Sequence, residues 1–243
     1  MNTLISRSYS GAADLQAMIE LAQALRRSGQ TIYPIAADLY EELADLDVQA
    51  TARLWENDGR QLAGFAYVNR YQNLVDVFDA GEFTPAIETE LLAWIVTAVQ
   101  RRNWETGVSQ VLAAGALESD RPRRAFLERN GFERQAETSI LMACPLDQPI
   151  LDPQLPAGFI IRPMDGEAEI NAYVALHLGT HPTYQRLGLA KALIMTGMRL
   201  LKARGMDTAL LGTSSKNAVM QHTAEAIGFR SVSNTLWYYL AAD

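Results

Sequence analysis

One cysteine, Cys144, stands in 243 residues. A single thiol excludes an intrachain disulfide framework, and with no second soft ligand beside it no structural zinc site, and so no metal, is expected. Nowhere is there a run approaching the roughly 20 apolar residues of a membrane span. Residues Met1–Ser10 lack the basic, apolar and small-residue order of a signal peptide, so a cytoplasmic protein without a membrane partner is expected. Positive charge is also scarce: 21 Lys and Arg face 28 Asp and Glu, for a formal net charge of −7. No basic run exceeds a pair such as Arg101-Arg102 or Arg123-Arg124, which argues against nucleic acid as a partner.

What the chain does have is apolar residue content, 49%, enough for one or two buried cores. It also has prolines at 145, 149, 153 and 156, which make the stretch from Pro145 to Gly158 extended and poor in backbone donors. The division expected from this is 1–146, a linker at 147–157, and 158–243. The two sides match. Ile5, Arg7, Gly11, Ala13, Asp14 and Leu15 face Ile160, Arg162, Gly166, Ala168, Glu169 and Ile170 at an offset of 155. Farther on, Glu128-Arg129-Asn130-Gly131-Phe132 faces Glu225-Ala226-Ile227-Gly228-Phe229 at an offset of 97, so the second copy is shorter by the difference, 58 residues.

Periodicity and turn chemistry give copy one a strand over Leu4–Ser8, helices over Ala13–Arg27 and Ala37–Leu46, and two strands around the Asn57-Asp58-Gly59 turn. A helix over Pro85–Gln100, a strand over Ser109–Ala113, a helix over Arg121–Asn130 and a strand over Thr138–Ala143 follow. Copy two is expected to keep the first strand (Phe159–Arg162) and part of the first helix (Glu167–His177), and to lack the counterpart of roughly Gln23–Ala80. It then resumes with a helix over Leu189–Arg204, a strand over Thr208–Leu211, a helix over Ala218–Ile227 and a strand over Thr235–Leu240. This alternation predicts an α/β fold with a mixed sheet of the α+β kind. Two strands are missing from copy two, and either its own first strand or Leu62–Asn69 of copy one is expected to fill the vacancy.

Thr180-His181-Pro182-Thr183-Tyr184-Gln185-Arg186-Leu187-Gly188-Leu189-Ala190 places a glycine-bearing turn directly before an amphipathic helix. The first amides of such a helix have no partner within it, its dipole end is positive, and a residue without a side chain lets a phosphate approach the backbone. Arg186 and Lys191 add charge. At the offset of 97, copy one has Glu88, Leu91 and Ala93 opposite Gln185, Gly188 and Ala190, with Glu90 beside them. A branched side chain and two carboxylates there predict a copy that binds no diphosphate.

Gln185-x-x-Gly188-x-Ala190 resembles the pyrophosphate loop of the GNAT acyl-CoA N-acyltransferases. His181-Pro182 before it, Asn217 eleven residues ahead of Gly228-Phe229, and Glu225 three before that glycine also resemble the family. The resemblance implies a tandem GNAT-like fold similar to mycothiol-synthase-type proteins, with acetyl-CoA as co-substrate and a primary amine of a small molecule as acceptor. It implies that Leu178 and Thr180 end the strand that binds the pantetheine arm. Gln185, Arg186, Leu187, Gly188, Leu189 and Ala190 would hold the pyrophosphate, and Asn217 would also contact the cofactor. The tyrosine that many members use to protonate the leaving thiolate would fall at 224, where this chain has alanine; in copy one it is Leu127. Tyr184 and His181 are the candidate catalytic residues in its place, with His222, Tyr238 and Tyr239 behind them. The alternative reading is a catalytically silent acyl-CoA-binding or interaction protein derived from the same fold. Monomer and homodimer are both open.

Overall fold

The structure is a computed structural model that describes residues 4–29, 31, 33–79, 81–107, 109, 111–163 and 180–241. The chain forms two compact units, Met1–Ala136 together with Leu236–Asp243, and Glu137–Thr235.

Unit one begins with β1 (Ile5–Ser8) and α1 (Ala12–Arg27). Arg7 joins them: its guanidinium donates to both Asp14 carboxylate oxygens at 2.7 Å, and the Ser10 amide adds a third bond. Arg7 and Asp14 are two of the positions that define the repeat, and in copy one they form a strand-to-helix brace. Next come α2 (Ala36–Glu42), α3 (Leu46–Ala50) and an antiparallel run of β2 (Arg53–Glu56), β3 (Leu62–Val68) and β4 (Asn73–Phe78). Gly64 is required where β3 faces β4, because a Cβ there would lie 2.0 Å from the Phe78 ring. The sequence reading missed both α3 and β4. In Asn73–Phe78, apolar residues fall on both faces and Asp76 interrupts them, which hides the period of two.

Helix α4 (Pro85–Thr106) leads to β5 (Leu112–Leu117), which pairs parallel with β4, and then to α5 (Arg121–Arg129). Two cores cover the two sides of this sheet. Met18, Leu39, Val48, Phe65 and Tyr67 make one, and Trp55, Leu91, Ile95, Leu112 and Phe126 make the other. The second core also includes Leu236 and Tyr238, from the final strand β8 (Arg230–Leu240), which neighbours β5.

Unit two is built on β6 (Glu133–Pro145), the strand that ends copy one, paired antiparallel with β7 (Thr208–Ser214) from Ser139↔Ser214 to Pro145↔Thr208. A short 3-10 turn (Pro182–Tyr184), α6 (Leu189–Ala203) and α7 (Ala218–Glu225) also belong to it. Its core joins Met142, Cys144 and Leu146 to Met198, Ala209, Ala224 and Phe229. Each copy's closing strand therefore contributes to the other copy's unit. None of the described helices is long and apolar enough to cross a membrane.

Phe159–Arg162 is not a strand. Its counterpart β1 pairs with β2, and the counterpart of β2 lies in the stretch copy two lacks, so among the described residues it has no ladder to join. Leu62–Val68 does not fill the vacancy either, because β3 is hydrogen-bonded to β2 and β4 on its two edges. The expected helix over Glu167–His177 lies outside the described residues. In copy one, the helix expected over Ala37–Leu46 ends at Glu42, and a separate helix α3 starts at Leu46, capped by Asp45, which accepts from the Asp47 amide.

Candidate active site

The motif from Thr180 to Ala190 forms one exposed turn and the start of a helix. His181 opens it by accepting from the Thr183 amide at Nδ1 (3.3 Å), and the Tyr184 and Gln185 amides donate to the His181 and Pro182 carbonyls. The Gln185 amide side chain reaches back to the Thr180 carbonyl at 3.2 Å and ties the two ends of the turn together. Arg186 and Gly188 both have left-handed backbones, φ 62° and 81°. Such a local conformation turns successive N–H groups to one side and is favoured by glycine. A Cβ at Gly188 would meet nothing within 4 Å, so its backbone faces open space.

Gly188 is the N-cap of α6 and supplies no side-chain bond. By contrast α3, α4, α5 and α7 are each capped by a side chain, from Asp45, Thr84, Asp120 and Asn217. The first intrahelical bond of α6 runs from the Ala192 amide to the Gly188 carbonyl, which leaves the amides of Leu189, Ala190 and Lys191 without partners in the helix. Arg186 and Lys191 are exposed around this positive end. Beside it lies an open cleft of about 410 Å³ lined by Leu155, Phe159, Ile160, Leu189 and Leu193 among others.

Of the candidate catalytic groups, Tyr184 and His181 are brought together, with ring centroids 5.8 Å apart, and Phe159 meets the Tyr184 ring edge-on at 5.5 Å. Because His181 Nδ1 accepts a backbone proton, a neutral imidazole carries its own proton on Nε2. The others do not join them. Tyr238 is fully buried in the unit-one core and donates to Glu128 at 3.0 Å. His222 sits on the exposed side of α7. Ala224 and Leu127 are both fully buried, so the position at which the resemblance places a tyrosine is a core position in each unit. Leu178 lies outside the described residues.

Asn217 has a role that sequence reasoning missed. Its side-chain oxygen accepts from the Met220 amide at 3.1 Å, as Asp120, at the same place in copy one, accepts from Arg123 at 3.0 Å. The signal was available, since an Asx residue three positions before an amide at a helix start is the ordinary N-cap pattern.

Copy one shows how thoroughly the loop has gone. Its helix begins at Pro85, the counterpart of Pro182, and runs through the segment that is a turn in copy two. Proline offers no amide there and Thr84 caps the Ile87 amide. Leu91, opposite Gly188, is fully buried. Glu88 pairs with Arg129, while Glu90 accepts from Ser6, from Arg53 at 3.4 Å and from the Trp55 indole at 3.2 Å. Beyond their short paired stretch, β4 and β5 are also joined through a side chain. The strands are paired only from Asn73↔Ala113 to Leu74↔Ala114, and Arg123 then spans to both oxygens of buried Asp76 at 2.5 Å and to the Gly115 carbonyl at 3.5 Å.

Residues 115–229, which include the whole turn and both α6 and α7, match the acetyltransferase (GNAT) family. The mycothiol acetyltransferase of Streptomyces avermitilis is 31% identical over 118 residues, 44% of this chain and 38% of that protein. That of Cellulomonas flavigena is 28% identical over 102 residues, 34% of this chain and 29% of its own length. The chain thus matches well under half the length of these relatives. Among solved structures, a GCN5-related N-acetyltransferase from Sphaerobacter thermophilus aligns with a TM-score of 0.72 at 16% identity, covering 98% of this chain and 96% of that one. A tandem GNAT protein from the clavulanic acid biosynthesis pathway aligns with a TM-score of 0.70 at 14% identity, covering 100% and 99%.

Proposed function

We propose that the chain is a tandem N-acetyltransferase of the GNAT type whose second copy binds acetyl-CoA and whose acceptor is a primary amine of a small molecule, a reading supported by the family match over residues 115–229 and by the fold shared with a tandem GNAT protein. The observation that carries this reading is the uncapped, open start of α6, where Arg186 and Gly188 hold left-handed backbones. On this reading the Leu189, Ala190 and Lys191 amides, with the Arg186 and Lys191 charges, hold a diphosphate. Leu187 belongs to the same turn, and Thr180 is fixed to it through Gln185.

The reaction forms a C–N bond as a neutral amine attacks the thioester carbonyl and breaks the C–S bond. The amine then loses a proton and the thiolate gains one. The residues able to exchange a proton beside the turn are Tyr184 and His181. Tyr184 is half exposed, and His181 has Nε2 available because Nδ1 is occupied. Asn217 acts on this reading through the start of α7 that it caps.

One observation favours a second reading, a silent acyl-CoA-binding module: the position of the usual acid is a core alanine. The two are separated by calorimetric titration with acetyl-CoA and CoA, followed by a thiol-release assay over a panel of primary amines. Heat with wild type, its loss in Gly188→Glu, and thiol release with at least one amine support the enzyme. Heat without release from any amine supports the silent module, and no heat with either ligand ends both.

A further inference from the structure

The stretch that follows β6 stays within unit two. Leu146 and Ile150 pack into its core, Arg199 of α6 pairs with Asp152, and the Lys202 ammonium donates to the Gln148 carbonyl at 2.8 Å. The chain is thus fastened beside the C-terminal half of α6. Toward the N-terminal half the two are separated by the cleft of about 410 Å³, with Leu155, Phe159 and Ile160 on one side and Leu189 and Leu193 on the other. At the offset of 97 the counterparts of Leu189 and Leu193 are Leu92 and Val96, which pack against the unit-one core. Trp55, Ala66 and Val68 of that core come from β2 and β3, whose counterparts copy two lacks, and Leu193 is 52% exposed.

The cleft has the size of a small-ligand site, and it adjoins the groups able to exchange a proton. Phe159 lines it and meets the Tyr184 ring edge-on at 5.5 Å, and Tyr184 lies 5.8 Å from His181. Every lining residue except Arg162 is apolar. The amides of a pantetheine arm or the ring nitrogens of a base would exchange water for walls without side-chain partners, at a cost, whereas a hydrocarbon gains by leaving water. Arg162 brings positive charge, and no carboxylate is among the described lining residues, so a second ammonium is disfavoured.

We propose that this cleft selects the acceptor: it takes the hydrocarbon body of a primary amine that carries no second positive charge, with the amine nitrogen directed to Tyr184 and His181. The inference rests on the acetyl-transfer reading and adds the class of acceptor to it.

The test is thiol release from acetyl-CoA by the full chain with ethylamine, butylamine, hexylamine and 1,6-diaminohexane. Along the first three, kcat/KM should rise by about two- to fourfold per methylene buried. From hexylamine to 1,6-diaminohexane it should drop roughly tenfold or more, because the added ammonium has no partner in the cleft. Ile160→Gln and Leu193→Gln change side chains that are 79% and 52% exposed, so both variants should fold, as thermal melts would show. Each should flatten the rise with chain length, through KM rather than kcat. Equal kcat/KM for ethylamine and hexylamine, 1,6-diaminohexane matching hexylamine, or a rise that persists in both variants overturns the proposal and leaves acetyl transfer standing. Variants that lose heat with CoA and keep the rise show the cleft to be part of the cofactor site, and overturn it too. If no amine releases thiol, amide shifts of the isotope-labelled chain titrated with hexylamine in the presence of CoA decide. Saturable shifts centred on Phe159, Ile160 and Leu193 with hexylamine, but not with 1,6-diaminohexane, keep the amine site and remove the acetyl-transfer reading; their absence removes both.

Discussion

Gly188 is a residue whose conformation and surroundings make separate demands. Its φ of 81° disfavours any L side chain, while nothing lies within 4 Å to clash with one. Gly188→Ala should therefore cost only about 1 kcal/mol of stability, seen in thermal melts, yet weaken CoA binding by filling the space in front of the backbone. Gly188→Glu should abolish the heat of titration. Ala224 makes the opposite demand. Restoring a tyrosine there puts a ring among Met142, Cys144 and Phe229, so Ala224→Tyr should lower stability by about 1–3 kcal/mol or more and give no gain in thiol release. At this scale the sequence was readable where a residue type is rare in its role, as with a glycine before a helix. At Asn217 it was incomplete, because the same asparagine pattern serves a helix cap as well as a ligand contact.

Among elements, the caps offer a measured comparison between the copies. Asn217→Ala and Asp120→Ala each remove the side-chain bond at the start of a helix, and each should cost about 1 kcal/mol, measured by urea unfolding. The brace between β1 and α1 has a pH signature. Hydrogen bonds from the Arg7 guanidinium hold the Asp14 carboxyl below its ordinary range, against the effect of burial. Its ionised form is thus favoured by folding, so its contribution is full above the ordinary carboxylate range and is lost as pH falls through the folded value. Asp14→Asn should lower the urea midpoint at neutral pH and reduce its further decline toward pH 3. Most elements were legible from period and capping, including the helices starting at Pro85, Arg121, Leu189 and Ala218. The strand expected over Phe159–Arg162 was not, since a strand needs a partner and the alternation of its residues is silent about whether one exists.

For the whole chain, the exchange of closing strands decides what can be separated. A fragment covering 158–243 lacks Met142, Cys144 and Leu146, which belong to the unit-two core, and should not fold, as circular dichroism would show. Leu236→Ala should destabilise unit one by about 2–5 kcal/mol, with hydrogen exchange rising first at β5 rather than β7, because Leu236 packs with Leu112 and Phe126. The repeat foretold two copies, but the proline-rich stretch alone could not show that β6 and β8 each serve the unit of the other copy, since hydrophobic pattern fixes which face a strand buries and not which neighbour it joins.

Leu236 and Tyr238 in the core of unit one also set the order in which the molecule can be finished. A chain made from its amino end usually completes its first domain while the second is still being synthesised. Here the first unit waits for residues near 240, and the second uses a strand laid down before 146. Both halves are therefore completed together and late, and a ribosome stalled anywhere between them carries unfinished units with open strand edges.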